Sequence, residues 1–182
     1  MYIAISTPLR RLFLWQNSLP VVVGVLLILL LVAMSPGRSQ AYQVTCSDKG
    51  IDCISKTGYD GTSYWYNPVD RTGNNCTNYA AFRLSRKGVV NPGNLGDATD
   101  WARNAKNDGI RVDRRPAVGS IAQWPDTGNF APVWGHVAYV EAVNRRRIIL
   151  SDSNWQGGSK RWRVNRGDPE WPKKFIHFDR DR

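Results

Sequence analysis

Three short stretches of this chain carry residues that could do covalent chemistry together: Cys76-Thr77, Gly135-His136-Val137 and Asp152-Ser153-Asn154-Trp155. A thiol becomes a good nucleophile when a base takes its proton, and the base works best when a third polar group holds it. The choice is narrow, because the chain has three cysteines and two histidines. Cys46 and Cys53 lie close together in a polar segment and are expected to close a short disulfide loop in an exported protein. Cys76 is then the odd thiol and the expected nucleophile. His136 is the expected base. Asp152 is the first choice to orient it and Asn154 the second. The backbone amide of Cys76 is expected to help hold an oxyanion, with Asn75 or Tyr66 as further donors. His177 sits in the alternating run Phe175 to Phe178 and reads as structural. No C-x-x-C occurs, so a zinc site lacks its usual spacing; neither metal nor other cofactor is expected.

The elements that must position these groups can be read from local pattern. Gly73-Asn74-Asn75 is a loop ending in a helix-capping residue, and the helix is predicted from about Cys76 to Lys87, with Gly88 as its stop. Cys76 then lies in the first turn, where the helix dipole and free amides favour a thiolate. Asp97-Ala98-Thr99-Asp100 resembles a capping box for a second helix that ends at Gly109. Alternating runs predict strands at Ser120–Trp124, His136–Val143, Arg147–Ser153, Arg161–Asn165 and Lys174–Phe178. Two helices followed by an antiparallel sheet make an α+β domain. A three-residue loop, Asn144-Arg145-Arg146, would set Ala138 opposite Asp152 and His136 opposite Asn154. It would place His136, Ala138 and Val140 on one face with Leu150 and Asp152. That face is expected to pack on the Cys76 helix, whereas a two-residue loop would break the register.

The rest of the chain bears on where it works. Arg10 and Arg11 precede an apolar, uncharged run from Pro20 to Met34, and Ser39-Gln40-Ala41 offers a signal-peptidase site. Residues 1–41 are therefore expected to be a signal peptide or an uncleaved membrane anchor, and the remainder to be secreted or envelope-associated. Residues 42–64 read as an extended arm carrying the disulfide, and residues 65–182 as the catalytic domain. The chain holds 25 basic and 15 acidic residues; with the three arginines before residue 42 set aside, the remainder carries +7. A basic exported protein favours anionic surfaces such as wall polymers. The basic residues are scattered and match no nucleic-acid motif, so no nucleic-acid partner is expected. Membrane contact is expected only through the N-terminal segment, if it is retained. Trp101 and Trp124 read as core. Trp134 and Trp155 flank the proposed catalytic residues and are candidates for lining a substrate groove. Arg145-Arg146-Arg147 reads as a solvated hairpin tip.

From Tyr64 to Phe178 the chain resembles the CHAP family of cysteine- and histidine-dependent amidohydrolases and peptidases. The resemblance rests on Gly73-Asn74-Asn75-Cys76-Thr77-Asn78-Tyr79, Gly96-Asp97-Ala98-Thr99-Asp100-Trp101-Ala102, Pro116 to Trp124, Gly135 to Glu141 and Asp152-Ser153-Asn154-Trp155. It implies a papain-like fold and cleavage of amide bonds in peptidoglycan. That bond would be the muramoyl–L-alanine amide or one in the stem peptide or cross-bridge. The family's nucleophile maps to Cys76, its base to His136, its acidic third residue to Asp152 and its following Asn to Asn154. The family more often has Glu where this chain has the shorter Asp152, and Asn where it has Asp97.

The reading is thus an exported peptidoglycan amidase or endopeptidase acting through a Cys76 thioester, with peptidoglycan as partner and anionic wall polymers as a further candidate. The rival is a non-catalytic wall-binding module that keeps the scaffold. It would require an inert Cys76, for instance one locked in a disulfide. A third reading, action on a small γ-glutamyl or polyamine amide, fits poorly with export.

Overall fold

The computed structural model describes residues 42–125, 133–155 and 157–178; the predicted signal or anchor segment lies outside them. Among the described residues no helix is long and apolar enough to cross a membrane. Seven strands form one antiparallel sheet. They are β1 (Tyr42–Asp48), β2 (Arg111–Asp113), β3 (Ile121–Trp124), β4 (His136–Val143), β5 (Arg147–Asp152), β6 (Ser159–Asn165) and β7 (Lys174–His177), in the spatial order β1-β6-β5-β4-β3-β7-β2. The helices are α1 (Asp52–Ser55), α2 (Cys76–Ser85) and α3 (Trp101–Asn107). The α+β class expected from the sequence is the one observed.

Helix α2 starts where a helix should. Asn75 is extended, at φ −169° and ψ 131°, and its side-chain oxygen accepts from the amides of Thr77 and Asn78. This satisfies two of the donors that a helix start leaves free. The helix is buried around most of its circumference, through Thr77, Asn78, Tyr79, Ala80, Ala81, Phe82 and Leu84. Helix α3 lacks the expected capping box. Asp100 is its N-cap but makes no side-chain cap, because its carboxylate turns outward to Arg103 at 2.6 Å.

Two apolar clusters lie on opposite faces of the sheet. Ile121, Val137, Tyr139 and Ile176 pack with α2 and α3. Ala122, Trp124, Ala138, Val140, Leu150, Trp162 and Phe175 form the second cluster. The face carrying His136, Ala138 and Val140 was expected to cover the Cys76 helix; the alternate face does so instead. The helix needs bulky partners, and Val137 and Tyr139 supply them. Cys76 opens α2 and His136 opens β4, so the two meet at element ends and not across a packed face.

The β4–β5 register also departs from expectation at one end. Tyr139 pairs with Ser151 and Val140 with Leu150, as predicted, but Ala142 pairs with Ile149 and Val143 with Ile148. The turn closes from the Asn144 amide to the Arg147 carbonyl at 3.0 Å, which is a two-residue loop. A bulge at Glu141 absorbs the extra residue and restores the register toward the site.

That bulge has a partner. Glu141 takes both guanidinium nitrogens of Arg83 from α2, and Ser151 Oγ donates to Glu141 at 2.6 Å. The Arg83 guanidinium also lies 3.8 Å from the centre of the Tyr139 ring. Both ionised side chains are only 14% exposed. Glu141→Ala would strand a buried cation, and a destabilisation of about 3–5 kcal/mol is expected in urea unfolding. The paired replacement Arg83→Met with Glu141→Leu should recover most of it.

The segment read as an arm outside the domain is part of it. Strand β1 pairs along β6, and Ile54 and Tyr59 enter the core. The Cys46–Cys53 disulfide forms as expected and ties β1 to α1.

Candidate active site

The loop that delivers Cys76 is fastened from several sides. Asn74 is buried, and its amide group donates to the Lys49 carbonyl at 3.2 Å and to Thr72 Oγ1 at 2.7 Å. Ser153, directly after β5, donates to Asn74 Oδ1 at 2.7 Å and accepts from the Asn75 amide at 3.1 Å. A single buried hydroxyl thus links the residue before Cys76 to the residue after Asp152. One turn into the helix, Asn78 binds Tyr59 OH and the Thr62 carbonyl, and accepts from the Tyr64 amide at 2.6 Å. Cys76 itself is a free thiol of intermediate exposure.

His136 is 4% exposed and has ring neighbours on two sides. Trp155 meets it edge-on with ring centres 4.5 Å apart, and Trp124 lies at 5.8 Å. Trp162 completes the group, 5.6 Å from Trp124 and 5.3 Å from Trp155. Two indoles, backed by a third, leave the imidazole little room to rotate. On the backbone side, Gly135 has φ +69°, and a Cβ there would come within 2.6 Å of the Thr99 amide nitrogen. Any larger residue would push the His136 backbone off Thr99. If His136 serves as the base, Gly135→Ala should lower kcat at least about tenfold with little change in KM, because a displaced base is as costly as a weaker one. Steady-state kinetics on the folded variant measures this.

Asp152 closes β5 and is fully buried. Its Oδ2 accepts a hydrogen bond from the Trp162 indole N–H and lies 3.7 Å from His136 Nε2. The latter distance is an ion-pair contact and too long for a hydrogen bond, a separation common in unliganded catalytic sites. Lys160 pairs with Asp152 across the sheet. Burial pushes the Lys160 ammonium down while the Asp152 charge works to hold it up.

The charge on His136 follows from these neighbours. Burial alone would push the imidazole down. The Cys76 sulfur, by charge and by hydrogen bond, and Asp152 outweigh it and lift His136 from 6.5 to about 9. At neutral pH the site therefore holds an imidazolium between a sulfur and a carboxylate.

Cys76, His136 and Asp152 are thus brought together. Asn154 stands apart from them in character: it is exposed and takes a left-handed backbone at φ +64°. Of the two tryptophans, Trp134 is 66% exposed and Trp155 only 2%, so Trp155 presents its surface to His136 and almost none to solvent. Tyr66 is 96% exposed. His177 bonds Asp113 at 2.9 Å, away from the cluster. Asn74, Ser153, Trp162 and Lys160 were missed by the sequence reading. Their link to the site is tertiary, and only the adjacency of Asn74 to Cys76 and of Ser153 to Asp152 could have pointed to them.

The fold and this cluster define an α+β protein with a cysteine, a histidine and a carboxylate gathered where a helix start meets a strand start. Residues 61–154, just over half of the chain, match the CHAP domain family, and the chain belongs to that family. It is 38% identical over 111 residues to "Probable autolysin SsaALP" of Staphylococcus aureus, covering 60% of this chain and 40% of the relative. It is 39% identical over 84 residues to N-acetylmuramoyl-L-alanine amidase sle1 of Staphylococcus epidermidis, covering 44% of this chain and 24% of the relative. The chain thus spans less than half the length of either. A crystal structure of an N-acetylmuramoyl-L-alanine amidase from Staphylococcus aureus aligns with a TM-score of 0.53 and 28% identity, over 59% of this chain and 31% of that one.

Proposed function

We propose that this protein is an exported cysteine hydrolase that cleaves amide bonds of peptidoglycan through a thioester on Cys76. The arrangement is read as papain-like, with the nucleophile at the start of a helix and the base on the sheet. The observation that carries the reading is the convergence of Cys76, His136 and Asp152, with the sulfur and the carboxylate both favouring the protonated imidazole. The likeness to relatives named autolysin and N-acetylmuramoyl-L-alanine amidase supports peptidoglycan as the substrate. The cleaved bond is the muramoyl–L-alanine amide or an amide of the stem or cross-bridge.

In this mechanism Asp152 sits on the Nε2 side of the ring, so Nδ1 is the nitrogen available to the thiol. The Cys76 thiolate attacks the carbonyl carbon, and the oxyanion forms at the start of α2, where the Cys76 amide and the helix dipole face it. His136 then gives its proton to the leaving amine as the C–N bond breaks. The neutral imidazole next takes a proton from water, which cleaves the thioester and releases the acid. Asp152, held by Trp162, keeps Nε2 oriented and balances the imidazolium. Asn154 is assigned to the rim of the site, and Trp134 to the substrate groove.

Cys76 is free and not locked in a disulfide, the state this reading needs. Iodoacetamide should therefore label Cys76, and hydrolysis should fall in proportion to the labelled fraction, with peptidoglycan fragments slowing both. Full labelling with hydrolysis intact would overturn the proposal.

A further inference from the structure

A second feature beside the catalytic cluster has no part in the chemistry above. A cleft of about 720 Å³ is lined by Trp65, Tyr66, Asn91, Asn94, Asp97 and the edge of Trp101, among others. It lies between the two segments that flank the reacting groups. The Tyr64 amide is bonded to Asn78, two residues beyond Cys76. The Thr99 amide is bonded to the Trp134 carbonyl, two residues before His136.

Tyr66 makes little sense as a framework residue. Its ring is 96% exposed, and it and Trp65 both hold left-handed backbone, at φ 62° and φ 52°. Two bulky residues in that conformation cost free energy that an exposed ring does not recover by burial, and such strain gathers at functional sites. On the other flank Trp134 is also exposed and follows Val133 at φ 41°.

The polar groups of the cleft specify the chemistry of its occupant. Asn91 Oδ1 and Asn94 Oδ1 accept from the amides of Gly93 and Gly96, which turns their N–H₂ groups outward as donors. Asp97 adds an exposed acceptor. Asp100 is already paired with Arg103. Among the described residues no lysine or arginine lines the cleft, so an anionic group finds no partner among them. Flat aromatic rings beside neutral donors and exposed acceptors suit a ring with one apolar face and a rim of hydroxyl and acetamido groups.

We infer that this cleft binds an N-acetylhexosamine of a polysaccharide chain, with Tyr66 as its stacking platform. The inference rests on the peptidoglycan reading for its biological sense but not for its test. The full chain carrying Cys76→Ala, which cannot turn over substrate, is titrated with a β-1,4-linked N-acetylglucosamine oligomer and followed by calorimetry. Saturable binding is expected, weakened roughly tenfold by Tyr66→Ala and by Asp97→Ala, the usual scale for losing one stacked ring or one good polar contact. In the active chain, Asp97→Ala should raise KM for a sugar-bearing muropeptide. It should leave kcat on that muropeptide within about twofold, as expected of a contact made equally in the ground and transition states. Absence of saturable binding overturns the inference. So does a stem peptide that binds in place of the saccharide and responds to the same two substitutions. If the saccharide binds through Tyr66 while the wild-type chain cleaves no peptidoglycan, the inference stands and the hydrolase reading falls.

Discussion

Replacing Cys76 with alanine is expected to reduce amide hydrolysis at least about ten-thousand-fold, and His136→Ala is expected to do the same. In the proposed mechanism the two act as one unit. The sulfur helps hold the imidazolium, and the imidazolium must then supply the proton that the leaving amine needs. Removing either ends thioester formation, so the double variant should be no worse than the single ones. What remains would come from oxyanion stabilisation and substrate binding alone. The fold of Cys76→Ala is not at stake, because Cys76 is a partly exposed helix-start residue whose cap comes from Asn75. Circular dichroism of Cys76→Ala should match the wild type. Cys76→Ala with near-normal turnover would remove the nucleophile from the account.

Asp152 gives the second large effect, and here the form of the loss carries the information. Asp152→Ala should lower kcat by about a thousandfold or more, in line with losing the orienting member of a triad. It also leaves the Trp162 N–H without its acceptor. Asp152→Asn should be milder. The amide oxygen can still take the Trp162 hydrogen bond and still face Nε2, but the negative charge is gone. The wild-type kcat/KM should fall as pH rises through about 9, where the His136 imidazolium loses its proton. That limb belongs to the coupled pair of His136 and Cys76 rather than to one residue. Without the Asp152 charge the imidazolium is less favoured, so the limb should move to lower pH. A limb that stays at the wild-type position in Asp152→Asn would show that Asp152 does not act through His136.

The same protonation links to stability with a definite sign. His136 is lifted from 6.5 to about 9 in the folded chain. Its contribution is therefore fully present below about pH 6.5 and is lost as pH rises through 9. Unfolding in urea should show the chain losing stability across that window, and His136→Ala should flatten the slope.

Much of this site could be read from local residue pattern, because its main parts sit at element starts. Asn75 before Cys76 is a cap signal, and the structure starts α2 at Cys76. The alternation from His136 to Val143 matches β4 end to end. What failed was tertiary. Alternation says which residues share a face but not which face the helix covers, and both faces of β4 are apolar. The bulge at Glu141 reflects a partner 58 residues away, Arg83, and no local pattern announces it. Strand β1 looked like a polar arm because it is an edge strand with mostly exposed side chains. Trp162 was visible as an aromatic in a strand, but its bond to Asp152 needs the β5–β6 register. Trp155 shows the same limit from the other side. Adjacency to Asp152 suggested a groove wall, whereas burial makes it a brace for His136.

The most direct test of the central claim is digestion of purified peptidoglycan by the wild-type chain with Cys76→Ala alongside, the released fragments being located by mass spectrometry. The account predicts new amine ends from the wild type and none from Cys76→Ala. Ends on L-alanine identify an amidase, and ends within the stem or bridge an endopeptidase. Cleavage that persists in Cys76→Ala, or fragments cut only between sugars, would contradict it.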